Sequence, residues 1–266
     1  MTKRWKSALC AAALALTFVP NCARGIQVEI DGTILPREQG WGENGTSYIT
    51  LRALAREGGY ALRWDGTQAV LSGEDLELTA VPGHSYIEVN GRALYVPEGV
   101  RVQDGKAYLP LRIVSDATGG ELSWREDAAV AALRLAGAQA PEADYDEQSL
   151  YWLSRIISAE SRGEPMLGQI AVGNVVLNRV RHENYPDNIK GVVFDDLYGI
   201  QFEPVENGTV YDEPAPSSVL AAKMALEGAS VVGESLYFFA PALSPGTWIV
   251  ENGIYHSTIG CHRFYR

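Results

Sequence analysis

Ala159-Glu160-Ser161-Arg162-Gly163-Glu164-Pro165 closes a stretch that begins as an apolar helical stripe. Upstream, Leu150, Leu153, Ile156 and Ile157 recur at the spacing of one helix face. At about 100° per residue, Glu160 falls near the middle of that stripe, with Arg155 and Ser158 on the opposite side. Asp146 or Ser149 can cap the start, Gly163 ends the helix, and Pro165 prevents its resumption. The spacing thus predicts a helix whose last turn aims a carboxyl group inward. Beside an apolar wall such a group loses hydration, which disfavours its charged form and raises its pKa, so that it can donate a proton near neutrality. Periodicity alone leaves a second reading open, in which Glu160 escapes to solvent or pairs with Arg162 or Arg179. Glu164 lies past the helix and reads as a surface or salt-bridged carboxylate.

The 266 residues carry 33 Asp and Glu against 22 Lys and Arg, a formal charge of −11. Lys3, Arg4 and Lys6 precede an apolar run from Ala8 to Val19, the form of a secretory signal and too short for a comfortable membrane span. Residues 1–23 are expected to be removed by cleavage near Ala23, the alternatives being an uncleaved anchor or a lipidated Cys22. Their loss leaves the chain more acidic still. No basic surplus remains to neutralise phosphates, which argues against nucleic acid as a partner. Cys10 lies in the signal, Cys22 at its edge and Cys261 near the end, so an exported chain has no disulfide framework and must rely on packing.

Residues 26–135 contain an internal repeat. Tyr48, Leu51, Arg52, Gly59, Leu62, Trp64 and Val70 recur sixty residues later as Tyr108, Leu111, Arg112, Gly119, Leu122, Trp124 and Val130. Each copy reads as strand, Asp-Gly or Asn-Gly turn, strand, short helix and hairpin. The pattern resembles the copper amine oxidase-like N-terminal domain, a non-catalytic appendage of exported proteins. His84 stands alone, without a cluster to hold a metal. Trp64 and Trp124 read as core residues, with an aromatic platform for a sugar as the alternative. Residues 138–147 are small, polar and Pro-containing, as linkers are. The expected division is a signal at 1–23, the duplicated module at 24–137, the linker at 138–147 and a second domain at 148–266.

In that second domain a helix from about Leu167 to His182 is followed by a short one from Asn188 to Phe194. Then come a loop from Gln201 to Gly208, an amphipathic helix from Pro216 to Gly228 and a buried strand from Ser235 to Phe239. Asn178 and Arg179 stand where they could hold the Glu160 loop or remain solvated. Five blocks in order carry a second resemblance: Ala159 to Pro165, Gly168 to Val180, Ile189 to Phe194, Gln201-Phe202 with Leu236 to Phe239, and Ile259 to Tyr265. From about Ser149 onward the chain resembles the SleB-type cell wall hydrolases, the catalytic domain of spore cortex-lytic enzymes. The resemblance implies an α+β chain with a lysozyme-like C-terminal catalytic domain behind the duplicated β-hairpin/helix module.

It also implies cleavage of peptidoglycan glycan strands with Glu160 as catalytic acid/base. Glu164, Gln201, Phe202, Tyr237 and His262 are the substrate-binding candidates. Two positions depart from the family pattern: Ala240, where Asn is frequent, and Cys261, where a polar residue is usual. Relatives work as lytic transglycosylases, which need one carboxylic acid, whereas a hydrolase would usually want two, and Glu164 or Glu203 could be the second. An N-acetylmuramoyl amidase and a non-catalytic wall-binding protein are the remaining alternatives. His182, His256 and His262 do not form a ligand-spaced set, so no zinc, other metal or cofactor is expected. The expected location is exported, at the cell wall or spore envelope, with the N-terminal module anchoring the enzyme or docking a partner there.

Overall fold

The computed structural model describes residues 25–197 and 199–266, so the expected signal segment, with Cys10 and Cys22, lies outside the described residues. The first copy of the repeat runs β1 (Gln27–Ile30), β2 (Thr33–Ile34), β3 (Gly40–Glu43), β4 (Thr46–Thr50), α1 (Leu51–Gly58), β5 (Ala61–Asp65) and β6 (Gln68–Ser72). After β7 (Glu77–Ala80), the second copy runs β8 (Tyr86–Val89), β9 (Arg92–Tyr95), β10 (Arg101–Gln103), β11 (Lys106–Pro110), α2 (Leu111–Thr118), β12 (Glu121–Arg125) and β13 (Val130–Arg134). Both helices end at a left-handed glycine, Gly59 at φ 72° and Gly119 at φ 70°, which frees the helix end at no steric cost.

The two copies are interleaved. Hairpin β12–β13 of the second joins β1–β2 of the first, in the order β12-β13-β1-β2 with β13 parallel to β1. Hairpin β5–β6 of the first joins β8–β9 of the second through β7, in the order β5-β6-β7-β8-β9. Between them β4 and β11 pair antiparallel, with Ile49 opposite Leu109, at the centre of β10-β11-β4-β3. One hydrophobic core therefore draws on both copies, among them Ile49, Leu54, Leu71, Leu109, Val114 and Leu133. Neither copy could bury its apolar face alone. Trp64 and Trp124, expected in this core, are 51% and 52% exposed. They sit on β5 and β12, the edge strands of their sheets, where no layer covers the outer end of the hairpin.

The second half is mostly helical: α3 (Glu147–Ser161), α4 (Met166–Arg181), α5 (Ile189–Val193), α6 (Glu203–Asn207), α7 (Pro216–Leu226), β14 (Tyr237–Phe239), α8 (Thr247–Asn252), β15 (Tyr255–Ile259) and β16 (His262–Tyr265). The strands form a small antiparallel sheet in the order β14-β16-β15. Asp146 caps α3 by accepting the Ser149 N–H at 2.6 Å. That helix is central, packed by α4, α5 and α7. Its far side is consequently not solvated: Ser158 is buried and accepts the Ala215 N–H at 3.0 Å, and Arg155 lies over the Tyr151 ring. A second difference is α6, which takes the place of the expected loop at 201–208. Pro204 in its first turn and Gly208 as a left-handed cap suit a one-turn helix.

The halves share an interface. Ala93 of β9 is fully buried in the apolar core of the helical half, with Tyr86 and Tyr95 beside it. Arg92 forks onto Glu227, Nη2 to Oε2 at 2.6 Å and Nε to Oε1 at 2.9 Å. Its Nη1 donates to the carbonyls of Asp116 at 3.1 Å and Pro141 at 3.3 Å. The segment expected as a linker is itself held, since the Ala140 N–H donates to Asp75 at 2.9 Å. Among the described residues, no helix is long and apolar enough to cross a membrane.

Candidate active site

Glu160 stands in the last turn of α3, largely buried, beside a cleft with ≈ 750 Å³ of empty space. The α3–α4 loop, the segment after β14 and the β15–β16 turn line that cleft, which brings Glu160, Glu164 and His262 together. Burial pushes the Glu160 carboxyl up from 4.5 to about 7; the nearby charge of Glu203 adds to the rise and the Arg179 guanidinium opposes it. Half of such groups hold a proton at neutral pH, which is the state a general acid needs.

Glu164 is not a solvated carboxylate. Its side chain is 11% exposed, and Oε2 accepts the backbone N–H of Cys261 at 2.9 Å. The Gln169 amide donates to the Glu164 carbonyl at 3.0 Å and accepts from the Ser218 hydroxyl at 2.8 Å. These bonds tie the α3–α4 loop to the β15–β16 turn and to α7. Position 261 thus meets Glu164 through its main chain, which any residue supplies, so the departure at Cys261 leaves this tie intact. Gly260 has φ +58°, and a Cβ there would sit 1.7 Å from Glu164 Oε2. Gly260→Ala is therefore expected to push the Glu164 carboxylate out of the turn. At least a tenfold loss of activity is expected with the fold retained, in line with roughly 100-fold effects of ångström misplacements; steady-state assay beside a thermal melt checks it.

His262 is buried against the Phe238 ring, 5.3 Å between centroids. Burial pushes its pKa down, and the Glu164 charge only partly restores it. The ring is therefore neutral near pH 7, and its Nδ1, 4.0 Å from Glu164 Oε1, is buried without a hydrogen-bond partner among the described residues.

Two of the other sequence candidates, Phe202 and Tyr237, gather around Arg179. This guanidinium is buried, donates from Nε to the Leu236 carbonyl at 2.8 Å, and lies over the rings of Tyr185 and Phe202 (5.2 Å each) and Tyr237 (5.8 Å). Its Nη1 is buried and has no hydrogen-bond partner among the described residues. Phe202 is 2% exposed and packs in the core, so the expectation of a substrate-stacking face there is corrected: the ring has no free surface to offer. Tyr237 is half-buried and meets the exposed Trp248 edge to face. Gln201 is half-buried and donates to the Gly199 carbonyl at 2.9 Å.

Asn178 and Arg179 do not hold the Glu160 loop. Asn178 donates to the carbonyls of Gly233 and Ser235 at 2.7 and 2.9 Å, and Asn174 to that of Ala229 at 2.6 Å, so α4 pins the strand-bound segment 229–236. Sequence reasoning passed over Tyr185, read only as part of a helix break. Its pKa is pushed up to about 12, first by burial and then by hydrogen bonding with Tyr237. Its only signal was its place next to Pro186 after a helix.

Residues 163–265 match the Cell Wall Hydrolase family, and residues 30–133 match the Copper amine oxidase N-terminal domain. The first match begins three residues after Glu160 and includes Glu164 and His262. Among curated relatives, the spore cortex-lytic enzyme of Halalkalibacterium halodurans is 35% identical over 107 residues, 40% of this chain and 32% of that protein. The spore cortex-lytic enzyme of Bacillus cereus is 34% identical over 105 residues, 40% of this chain and 39% of that protein. The chain thus spans between a third and two fifths of the length of these relatives. The catalytic domain of the germination-specific lytic transglycosylase SleB from Bacillus anthracis is 32% identical, covering 47% of this chain and all of that one, with a TM-score of 0.43. Both resemblances are borne out by the family matches, and the chain mixes helices and strands as the α+β class expects. The helical half of this chain belongs to the cell wall hydrolase family, and it follows a copper amine oxidase N-terminal domain.

Proposed function

We propose that this chain degrades peptidoglycan as a lytic transglycosylase, with Glu160 as its single acid and base. The observation that carries this reading is a largely buried carboxyl group with a pKa of about 7 at the wall of a cleft. Protonated Glu160 gives its proton to the glycosidic oxygen on C1 of N-acetylmuramic acid as the C1–O bond breaks. The carboxylate left behind takes the proton of the muramoyl C6 hydroxyl, and the C6 oxygen closes on C1. The product end is 1,6-anhydromuramic acid, Glu160 has its proton back, and no water is consumed. Arg179, whose charge favours the ionised form of Glu160, supports the first half of this cycle, in which the carboxyl group gives up its proton. Glu164, already tied to Cys261, is better suited to hold the cleft floor than to activate water. His262, Gln201 and Tyr237 are the proposed sugar contacts. The reading places the protein outside the cytoplasm, at wall or spore cortex.

Mass spectrometry of digested sacculi tests it: anhydromuramic ends are expected, and reducing muramic ends in their place overturn it. Hydrolysis is the second reading, because Glu203 is an exposed carboxylate close enough to raise the Glu160 pKa and could serve a water.

The pH dependence follows from the same group. Glu160 acts as acid only when protonated, so the rate is expected to be flat below about pH 6 and to fall roughly tenfold per unit well above 7. A profile rising through pH 7 overturns the assignment. Stability has its own sign. A carboxyl whose pKa is higher folded than unfolded adds stability that is full below pH 4.5 and is lost as pH rises through about 7. Glu160→Gln is therefore expected to melt like wild type near pH 4 and above it at pH 8.

A further inference from the structure

The N-terminal half holds two grooves that the site above does not use. Arg52, Leu62, Trp64 and Lys106 line one; Arg112, Leu122, Trp124 and Ser47 line the other. Arg52, Leu62 and Trp64 have their counterparts sixty positions away in Arg112, Leu122 and Trp124, whereas Lys106 corresponds to Thr46. Because the copies are interleaved, each groove takes its Trp and Arg from one copy and its β-turn side from the other. The internal symmetry thus makes two related grooves that share the Trp and Arg pair.

Both indoles are half exposed, and the reason is local. The cross-strand partner of Trp64 is Ala69 and that of Trp124 is Ala131, so nothing opposite is large enough to cover the ring. Arg52 and Arg112 are exposed and make no ion pair among the described residues. Neither groove is lined by a carboxylate, although the chain as a whole is acidic. An open indole beside an unpaired cation suits a ligand with a flat apolar ring face and a carboxylate.

We propose that the two grooves are a paired binding site for peptidoglycan, sugar rings stacking on Trp64 and Trp124 and stem-peptide carboxylates meeting Arg52 and Arg112. The choice of this glycan rests on the function proposed above; the grooves themselves do not. The second groove has room for a ligand, ≈ 360 Å³ against ≈ 20 Å³ in the first, so Trp124 carries most of the binding and Trp64 offers only its exposed ring face. Two linked sites on one polymer gain avidity, and losing both costs far more than losing one.

The test uses the full chain with Glu160→Gln, to separate binding from turnover, and sacculi stripped of attached accessory polymers. Trp64→Ala is expected to weaken co-sedimentation roughly 3-fold, Trp124→Ala roughly 10-fold and the double variant more than about 30-fold. Trp124→Phe recovers part of the loss, and unchanged melting temperatures show that the fold survives. With Glu160 restored, the double variant releases muropeptides more slowly from sacculi but cleaves soluble glycan fragments like wild type. Sedimentation of the double variant equal to its parent overturns the proposal, as does a loss seen only when accessory polymers are present. Muropeptide release by Glu160→Gln would instead sink the proposed catalyst and leave the grooves standing.

Discussion

Glu160→Gln is expected to lower muropeptide release about 10³-fold, within the 10²–10⁴-fold range of a general acid. The amide matches the carboxyl group in size and keeps the end of α3 packed, but it has no transferable proton and cannot accept one from a C6 hydroxyl. The loss should appear in kcat, with sedimentation on sacculi unchanged, because the variant still binds through the cleft and the N-terminal half. Glu203→Gln makes the informative comparison. Removing its charge takes away one of the two influences that raise the Glu160 pKa, so the alkaline limb of the pH profile should move to lower pH with the acid-side rate kept. A collapse at all pH values would instead favour hydrolysis with Glu203 as base. Equal release by wild type and Glu160→Gln sinks the catalytic assignment.

Arg92→Ala is expected to cost roughly 3–5 kcal/mol, since truncating one partner strands the other charge in the interior. Both side chains of the Arg92–Glu227 pair are buried, at 7% and 9% exposure, and the guanidinium also satisfies two carbonyls. The pair spans the interface between the halves, so the variant should uncouple their unfolding and turn one urea transition into two. Arg92→Met with Glu227→Met removes both charges together. By the same argument it should be close to neutral or more stable, because a well-packed apolar pair has no desolvation to overcome. A single variant within 1 kcal/mol of wild type would show that water reaches the pair and that the halves are not coupled through it.

Much of the site could be read along the chain because its signals are local. The stripe Leu150, Leu153, Ile156 and Ile157 marks the buried face of α3, and those that are fully buried, Leu153, Ile156 and Ile157, lead straight to Glu160. The sixty-residue repeat predicted matching hairpins and helices, down to the glycines that end α1 and α2. The errors share a cause. Periodicity records which residues are apolar, and burial depends on what arrives from elsewhere. Ser158 is polar and falls opposite the apolar stripe, but α7 and its leading residue Ala215 pack over it. Trp64 and Trp124 are apolar and were placed in the core, but they fall on edge strands opposite alanines. Phe202 is a substrate-binding candidate by resemblance alone, but α4 supplies the Arg179 that closes over it.

The sequence by itself determined the two families, the repeat and the helix that carries Glu160 on its apolar stripe. All of these are set by residues within a turn or two, or by order along the chain. The tertiary structure decided the rest: one core shared by interleaved copies, the Arg92–Glu227 pair 135 residues apart, and the Glu164 tie to Cys261 across 97 residues. It also decided the size of the Glu160 shift, because desolvation depends on every atom packed around the group, and most of those atoms belong to other elements.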